Sequence, residues 1–348
     1  MGFTTDHIRS LVEKHKSLQN LYNGTYRLLL PKHYRHYLQL AQKEADEFGI
    51  SSIDPDDMVR ETIVFGTFFD EYLLYGFHTK SSEVRRTYLT DSVRNRICSR
   101  INNAEMQKLL MDKFQCYRYF KPYYRREAIL FDSRNTLIDA IGFAKLYREV
   151  VVKPLKDCAG RGIELHTYDA ETSPQYFKQL LSTHKPYIIE ERIIQHPTLA
   201  QWHSASINTI RVNTILKDNQ FTIFNAFIRT GRNGSFVDNG AQGGLFATID
   251  PQNGKIITEA CDEHGNTYAS HPESHIPYIG TQIPYWDELK DLSKQLAHNI
   301  PELVYVGWDL ALTPDGWVMV EGNKGQFVAQ QLTLKHGLRK DFEALVEA

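Results

Sequence analysis

The sequence predicts an α+β chain, with a helical N-terminal region followed by strands gathered into antiparallel hairpins. Three observations carry this expectation. Apolar and aromatic residues recur at helical spacing up to about residue 126. From about residue 128 the texture changes to short β-branched runs bounded by Gly, Pro and Asn. Later runs meet at turn sequences, Asp218-Asn219 and Thr313-Pro314-Asp315-Gly316. Helices followed by hairpins argue for a segregated α+β arrangement. A chain of 348 residues is long enough for two domains, and the expected division is 1–102 and 103–348.

The first region divides at recognisable helix signals. Ile8, Leu11, Val12, His15, Leu18 and Tyr22 repeat at helical spacing behind Thr5 or Asp6 as N-cap. Pro31 starts a second helix that Gly49 closes. Asp54-Pro55-Asp56-Asp57 opens a third, with Pro at the first position and acids at the positive dipole end. That helix carries the aromatic stripe Phe65, Phe68, Phe69, Tyr72, Leu73 and Tyr75, read as core. A further helix pair is expected over 91–120. Strands follow at 129–131, 149–154 and 187–190, with a helix at 174–184 and hairpins at 207–229 and 304–323.

Composition narrows the function classes. Lys and Arg number 40 against 42 Asp and Glu, a net charge of -2, so the basic excess of a nucleic-acid binder is missing. No window approaches 18 consecutive apolar residues, so membrane insertion is not expected. No signal-peptide h-region is visible, and Asp6 stands where a myristoylation motif wants Ser or Thr, so the expected location is cytoplasmic. The cysteines Cys98, Cys116, Cys158 and Cys261 form no CxxC pair and are expected as reduced, buried thiols.

The sharpest chemical signal is the C-terminal hairpin. With Pro-Asp-Gly as a three-residue loop, Asp309 falls directly opposite Glu321, and Asn323 lies two residues further on the same face. Val306, Trp308, Leu310, Val318 and Val320 form the opposite, core face. Two carboxylates across a ladder repel unless a cation sits between them. Oxygen-only ligands select a hard ion such as Mg²⁺, bound together with phosphates. The alternative is a solvated polar edge.

Three weaker signals accompany it. Val152-Lys153-Pro154 ends a strand and leads into a loop with Gly160 and Gly162. A lysine fixed there and a Gly-rich backbone suit phosphate, although an ordinary strand–turn–strand explains the pattern equally well. Glu190 and Glu191 at a strand end suit an adenine amino group or ribose, or are only a charged terminus. Arg211 and Arg229 are candidate triphosphate clamps, since guanidinium grips phosphate with two donors. A two-residue turn at 218–219 puts them on opposite faces, and Arg211 shares its face with Thr209 and Asn213, so Arg211 ranks first. The loop Asp238–Gly244 is a polar segment suited to gripping substrate. The basic cluster Arg118, Lys121, Arg125 and Arg126 reads as a solvated face. The spacing of His264, His271 and His275 does not suit zinc.

In this order and spacing the residues resemble the ATP-grasp superfamily, specifically its sugar-transfer-associated members. The resemblance runs from about Asn103 to Gln330 and includes Asp112-Lys113-Phe114, Val152-Lys153-Pro154 and Ile189-Glu190-Glu191-Arg192-Ile193. It continues through Gln195-His196-Pro197, Asn208-Thr209-Ile210-Arg211, Asp238-Asn239, Gly243-Gly244, His271-Pro272, Gly307-Trp308-Asp309 and Glu321-Gly322-Asn323. It implies ATP clasped between a small lobe at about 128–192 and a large lobe at about 193–335. Lys113 and Lys153 would contact phosphates, and the backbone of Glu190, Glu191, Arg192 and Ile193 would hold adenine. Gln195 or His196 would lie near the ribose, and Asp309, Glu321 and Asn323 would hold one or two Mg²⁺.

The chemistry implied is ATP-dependent ligation of a carboxylate to an amine through an acyl phosphate, with Arg211, Arg229 and Lys153 offsetting phosphoryl charge. By family association the substrates are small or glycan-linked, such as a uronic acid or amino acid in polysaccharide biosynthesis. The alternative is an ATP-grasp kinase acting on a sugar hydroxyl, with His271 as the base to watch. A non-catalytic binding module is a third reading, which retention of Lys153 with all three candidate metal ligands opposes. The sequence leaves the oligomeric state open.

Overall fold

The structure, a computed structural model, describes residue 12 and residues 15–50, 53–132, 137–156 and 160–347. The N-cap and first residues of the expected opening helix, and Asp157, Cys158 and Ala159 of the glycine loop, lie outside the described residues. The chain divides into two compact units, one of residues 1–101 with 326–348 and one of residues 102–325.

The first unit is helical. Helices Lys16–Leu29, Pro31–Glu47, Pro55–Phe65, Phe69–Leu74 and Asp91–Ile101 are joined by the C-terminal helices Val328–Leu334 and Arg339–Glu347. Asp54 caps the third helix by accepting from the Asp56 amide at 2.9 Å, with Pro55 at its first position. The aromatic stripe is not one helix. Gly66 takes the left-handed conformation (φ 74°) as a C-cap, and a new helix begins at Phe69. The break leaves Phe68 52% exposed, against the core placement expected of it, while Phe65, Tyr72, Leu73 and Tyr75 are buried.

Residues 326–348, expected to continue the second domain, pack instead on the N-terminal helices. Gln331 explains the attachment. Its amide donates to the Leu89 carbonyl at 3.0 Å and accepts from the Leu89 and Leu338 amides at 2.7 and 3.0 Å. These bonds satisfy backbone groups that burial would otherwise strand, and Val328 and Leu332 pack on the same core as Tyr72 and Phe77.

The second unit contains two antiparallel sheets. In place of a helix pair at 91–120, helices Ala104–Met111 and Lys113–Tyr119 follow Asp91–Ile101, because Asn103 and Asp112 each cap a fresh start. The smaller sheet, ordered β1-β4-β2-β3, comprises β1 (Ala128–Phe131), β2 (Glu149–Pro154), β3 (Glu164–Thr167) and β4 (Tyr187–Glu191). The larger is ordered β11-β10-β5-β6-β7-β8-β9. It contains β5 (Ile210–Lys217), β6 (Gln220–Thr230), β7 (Leu245–Ile249), β8 (Ala260–Cys261), β9 (Thr267–Tyr268), β10 (Tyr305–Thr313) and β11 (Gly316–Asn323). Cys98, Cys116 and Cys261 are buried and outside any disulfide.

Two β-bulges set the registers that matter. Asp218 and Asn219 (φ 48° and 64°) make the two-residue turn expected between β5 and β6. Phe224 is then an extra residue on β6, so Arg211 pairs with Phe227 and Arg229 falls on the face of Arg211. The opposite-face expectation is therefore corrected by a bulge. In the C-terminal hairpin Thr313 pairs with Gly316, making the loop two residues rather than three, and Val320 is an extra residue that restores Asp309 opposite Glu321. On β11 Trp317 and Met319 therefore join the large core, Val318 is buried on the other face, and Val320 is only half-buried.

Trp308 is fully buried at the centre of the large core, and its indole donates to Thr214 Oγ1 at 2.9 Å. Trp308→Ala should cost about 3–5 kcal/mol and lower the midpoint of thermal unfolding by roughly 10 °C. Calorimetry showing a shift of only a degree or two would remove Trp308 from the centre of the core.

Candidate active site

The site grows from two rows across the large sheet. Arg211, Asp309 and Glu321 stand side by side on β5, β10 and β11, and Asn213, Gly307 and Asn323 form the next row. Alternation along a strand puts both rows on one face. Gly307 is required there. A Cβ at that position would stand 2.7 Å from the side-chain oxygens of both Asn213 and Asn323.

Asp309 is fully buried and gripped by two guanidiniums. Arg211 donates from Nε to Oδ1, and both Arg211 Nη2 and Arg229 Nη2 lie 2.7 Å from Oδ2. Burial alone would raise its carboxyl, but the two arginines override this and hold it well below the usual carboxylate range. Glu321 moves the other way, raised by burial and by its neighbour Asp309. Thr209 Oγ1 accepts from Arg229 at 2.8 and 2.9 Å and donates to Asp238, whose Oδ2 lies 3.6 Å from Arg229.

The small sheet faces this row across a cavity of about 270 Å³. Val151, Lys153 and Glu190, Glu191, Arg192 and Ile193 line one side. Thr209, Arg229, Asp309, Val320 and Glu321 line the other, and Ser204–Ile207 with Phe236–Asn239 close it. Lys153 Nζ lies 3.0 Å from Glu190 Oε2, and Arg126 meets the same oxygen from Nε and Nη2 at 2.9 and 2.7 Å. Arg126 also donates to the carbonyls of Met319 at 2.7 Å and Val320 at 3.4 Å, tying β4 to the bulge of β11.

The structure thus brings together Lys153, Glu190, Glu191, Arg192, Ile193, Arg229, Asp309 and Glu321. Others stand apart. Arg211 lies behind Asp309, outside the lining, so Arg229 rather than Arg211 reaches the cavity. Asn323 shares the face, but its Oδ1 accepts from the Gly325 amide at 2.9 Å and its amide is outside the lining. Lys113 Nζ is 3.5 Å from the Leu155 carbonyl and His196 caps the Thr198 amide through Nδ1, both away from the cavity wall. Gln195 is the one of the ribose pair that lines it. Gly160 and Gly162 are left-handed (φ 72° and 68°), and a Cβ on Gly160 would stand 2.7 Å from Asn239 Oδ1. His271 is fully buried, with Nε2 at 2.8 Å from the Gly231 carbonyl and Nδ1 facing the Glu273 and Ser274 amides, so it does not face the cavity.

Arg126 was missed. The other members of its cluster, Arg118, Lys121 and Arg125, are exposed, and it reads with them as a solvated face, yet it is 7% exposed against Glu190. Thr209 and Asp238 carry no local signal that they would orient Arg229.

The donor set fits Mg²⁺ and a triphosphate. Asp309 and Glu321 offer only oxygen, a choice that suits a hard cation, and Lys153 and Arg229 present positive charge on the same walls. Among the described residues no group of three or more His, Cys, Asp and Glu that could hold a metal ion is found.

Two sheets thus close on one cavity, with a strand-end lysine in one and a carboxylate row in the other. A family model described as sugar-transfer associated ATP-grasp matches residues 92–346, and the chain belongs to that family. No curated protein matches the sequence significantly. Solved structures similar to it include the ATP-grasp ligase PsnB complexed with minimal precursor, at 14% identity over 71% of this chain and 62% of that one, with a TM-score of 0.43. D-alanyl-alanine synthetase A from Vibrio cholerae O1 biovar eltor str. N16961 shares 10% identity over 71% and 67% of the two chains, TM-score 0.46. D-Alanine-D-alanine ligase from Helicobacter pylori shares 14% over 71% and 62%, TM-score 0.44. The matches span less than two thirds of the PsnB and Helicobacter pylori chains. No described helix is long and apolar enough to cross a membrane.

Glu190 supplies a pH test. Burial pushes its carboxyl up, but Arg126 and Lys153 bring it down from 4.5 to about 2. A depressed carboxyl stabilises the fold above its unfolded value and loses that contribution as pH falls toward the folded one. Wild type should therefore lose more stability than Glu190→Gln between pH 4.5 and 2, while the variant is the weaker protein at pH 7. Parallel acid-unfolding curves in that window would sink the assignment.

Proposed function

We propose that the protein is a carboxylate–amine ligase that forms an amide through an acyl phosphate, acting on a uronic acid or amino acid linked to a glycan or a related metabolite. The observation that carries the reading is Asp309 directly opposite Glu321 on a cavity wall that also presents Arg229 and, across the cleft, Lys153.

In this reading Asp309 and Glu321, with Asn323 in the adjoining row, hold Mg²⁺, and Lys153 and Arg229 hold phosphate oxygens. Lys113 and the glycine loop about Gly160 and Gly162 contribute from the small-lobe side. The backbone of Glu191, Arg192 and Ile193 receives adenine, and Val151, Ile163 and Val320 supply apolar wall. Bound Mg·ATP supplies a phosphoryl group whose transfer activates the carboxylate. The chain contributes position and charge: Arg229, oriented by Thr209 and Asp238, neutralises oxygens that gain charge in transfer, and Arg211 keeps Asp309 ionised. Preorganised charge of this kind is the main source of acceleration in phosphoryl transfer. The glycan link rests on the family description alone.

His271, the base to watch under the kinase alternative, is taken up by backbone groups, while the carboxylate row and lysines would serve a kinase equally.

Phosphorus NMR with Mg·ATP and a pool of uronic acids, amino acids and amines is the test. ADP and free phosphate should form only when carboxylate and amine are both present, and Glu321→Gln should lower kcat roughly 100-fold or more. ADP with a phosphate ester would make the protein a kinase, and AMP with pyrophosphate would exclude the acyl phosphate. Retained function in Glu321→Gln would favour a binding module.

A further inference from the structure

One constellation that starts at the cavity wall and runs away from it has no place in the nucleotide and metal reading above. Ser206 lines the cavity, and its Oγ lies 2.9 Å from His203 Nδ1. The other ring nitrogen, Nε2, lies 3.8 Å from Glu273 Oε2. The three groups run from inside to outside: Ser206 is 2% exposed and His203 6%, whereas the Glu273 side chain is 44% exposed. The chain makes room for this contact. A Cβ on Gly231 would clash with Ser206 Oγ and stand 2.8 Å from His203 Nδ1, so only glycine fits against the pair.

A hydroxyl, an imidazole and a carboxylate in series is the arrangement by which enzymes pass a proton. The sequence concealed it, because Glu273 is 70 residues away from His203 and the loop that returns it is irregular.

We infer that Ser206, His203 and Glu273 form a proton relay that takes the proton of the acceptor amine from the cavity to the surface. The inference rests on the ligase reading above. An amine reaches the site as an ammonium ion, whose nitrogen has no lone pair for attack. One ammonium proton passes to Ser206 Oγ as the hydroxyl proton moves to His203 Nδ1; the imidazolium formed is offset by the Glu273 carboxylate and gives up its Nε2 proton to water beside that exposed carboxylate. The freed nitrogen bonds to the acyl carbon, the bond from that carbon to the phosphate oxygen breaks, and the departing phosphate takes the second proton. Ser206 is the group that touches the acceptor, while His203 and Glu273 are positioning residues that act through it.

The surroundings suit an imidazole that rests neutral and charges in passing. Burial lowers the affinity of His203 for a proton, and His271 lowers it further, whereas Glu273 raises it. The ring of His271, 6.4 Å away centre to centre, is the other titratable group facing it.

Two nucleophiles separate relay from scaffold. Wild type, Ser206→Ala, His203→Gln and Glu273→Gln are given Mg·ATP and the uronic acid and amino acid panel, once with ammonium and once with hydroxylamine. Hydroxylamine is largely unprotonated at neutral pH and needs no base to free its lone pair. The ratio of amide to hydroxamate should fall about 100-fold in Ser206→Ala and His203→Gln, and by less in Glu273→Gln. The residual amide rate should rise with pH as free ammonia accumulates. An unchanged ratio, with both products falling together, would overturn the relay and leave the ligase intact. Neither product in wild type would overturn the ligase reading, and the relay with it. Nitrogen-15 NMR on intact wild-type protein needs no variant to fold: His203 should be neutral with Nδ1 unprotonated and a proton on Nε2, and the reverse tautomer would overturn the direction of transfer.

Discussion

A fully buried carboxylate organises the large sheet. Asp309 has no access to water, and an ionised group in such a place is stable only with charge and hydrogen bonds around it. Arg211 and Arg229 provide both, from neighbouring strands of one face. The arrangement demands that β5, β6 and β10 keep their relative registers, since a slip of one residue would turn a guanidinium to the opposite side. It also leaves Glu321 as the acid that cannot share the arginines fully, held above its usual range by burial and its neighbour. The pair is thus an ionised acid beside a reluctant one.

A second buried ion cluster joins the sheets. Arg126 reaches Glu190 on β4 and the Met319 and Val320 carbonyls on β11 with one planar group. The carbonyls belong to the bulge that aligns Glu321 with Asp309. One guanidinium therefore braces the strand that presents Lys153's partner and the strand that presents a candidate metal ligand. Arginine suits this task because its donors lie in a fixed plane, where a lysine would offer a single point of charge.

Much of this was legible in the sequence, though for uneven reasons. The capping signals Asp54-Pro55 and the β-branched strand runs are local chemistry, and local chemistry reads well. The pairing of Asp309 with Glu321 came out correctly through two departures that cancel: the turn is one residue shorter than Pro-Asp-Gly suggests, and Val320 adds one residue back. No such compensation helped Arg229, because the bulge at Phe224 carries no turn residue to announce it. Arg126, the return of residues 326–348 and the approach of Glu273 to His203 depend on contacts between distant segments. Sequence periodicity reports which face an element buries, not which distant chain covers it.

The two kinds of segment around the cavity divide the chemistry between them. Strand positions carry the charged groups suited to phosphate and metal, where rigidity keeps preorganised charge in place. The segments Ser204–Ile207 and Phe236–Asn239 close the cavity from loops, and the former carries the hydroxyl that meets His203. Loops tolerate changes of length and shape that a seven-stranded sheet with buried ion pairs does not. Under the proposed ligase reading the choice of acceptor falls to these loops, and the constraint on them is electrical as well as steric. An acceptor that arrives charged must give up its proton inside a cleft already lined by fixed positive groups, and in the proposed relay Ser206 is where that proton leaves.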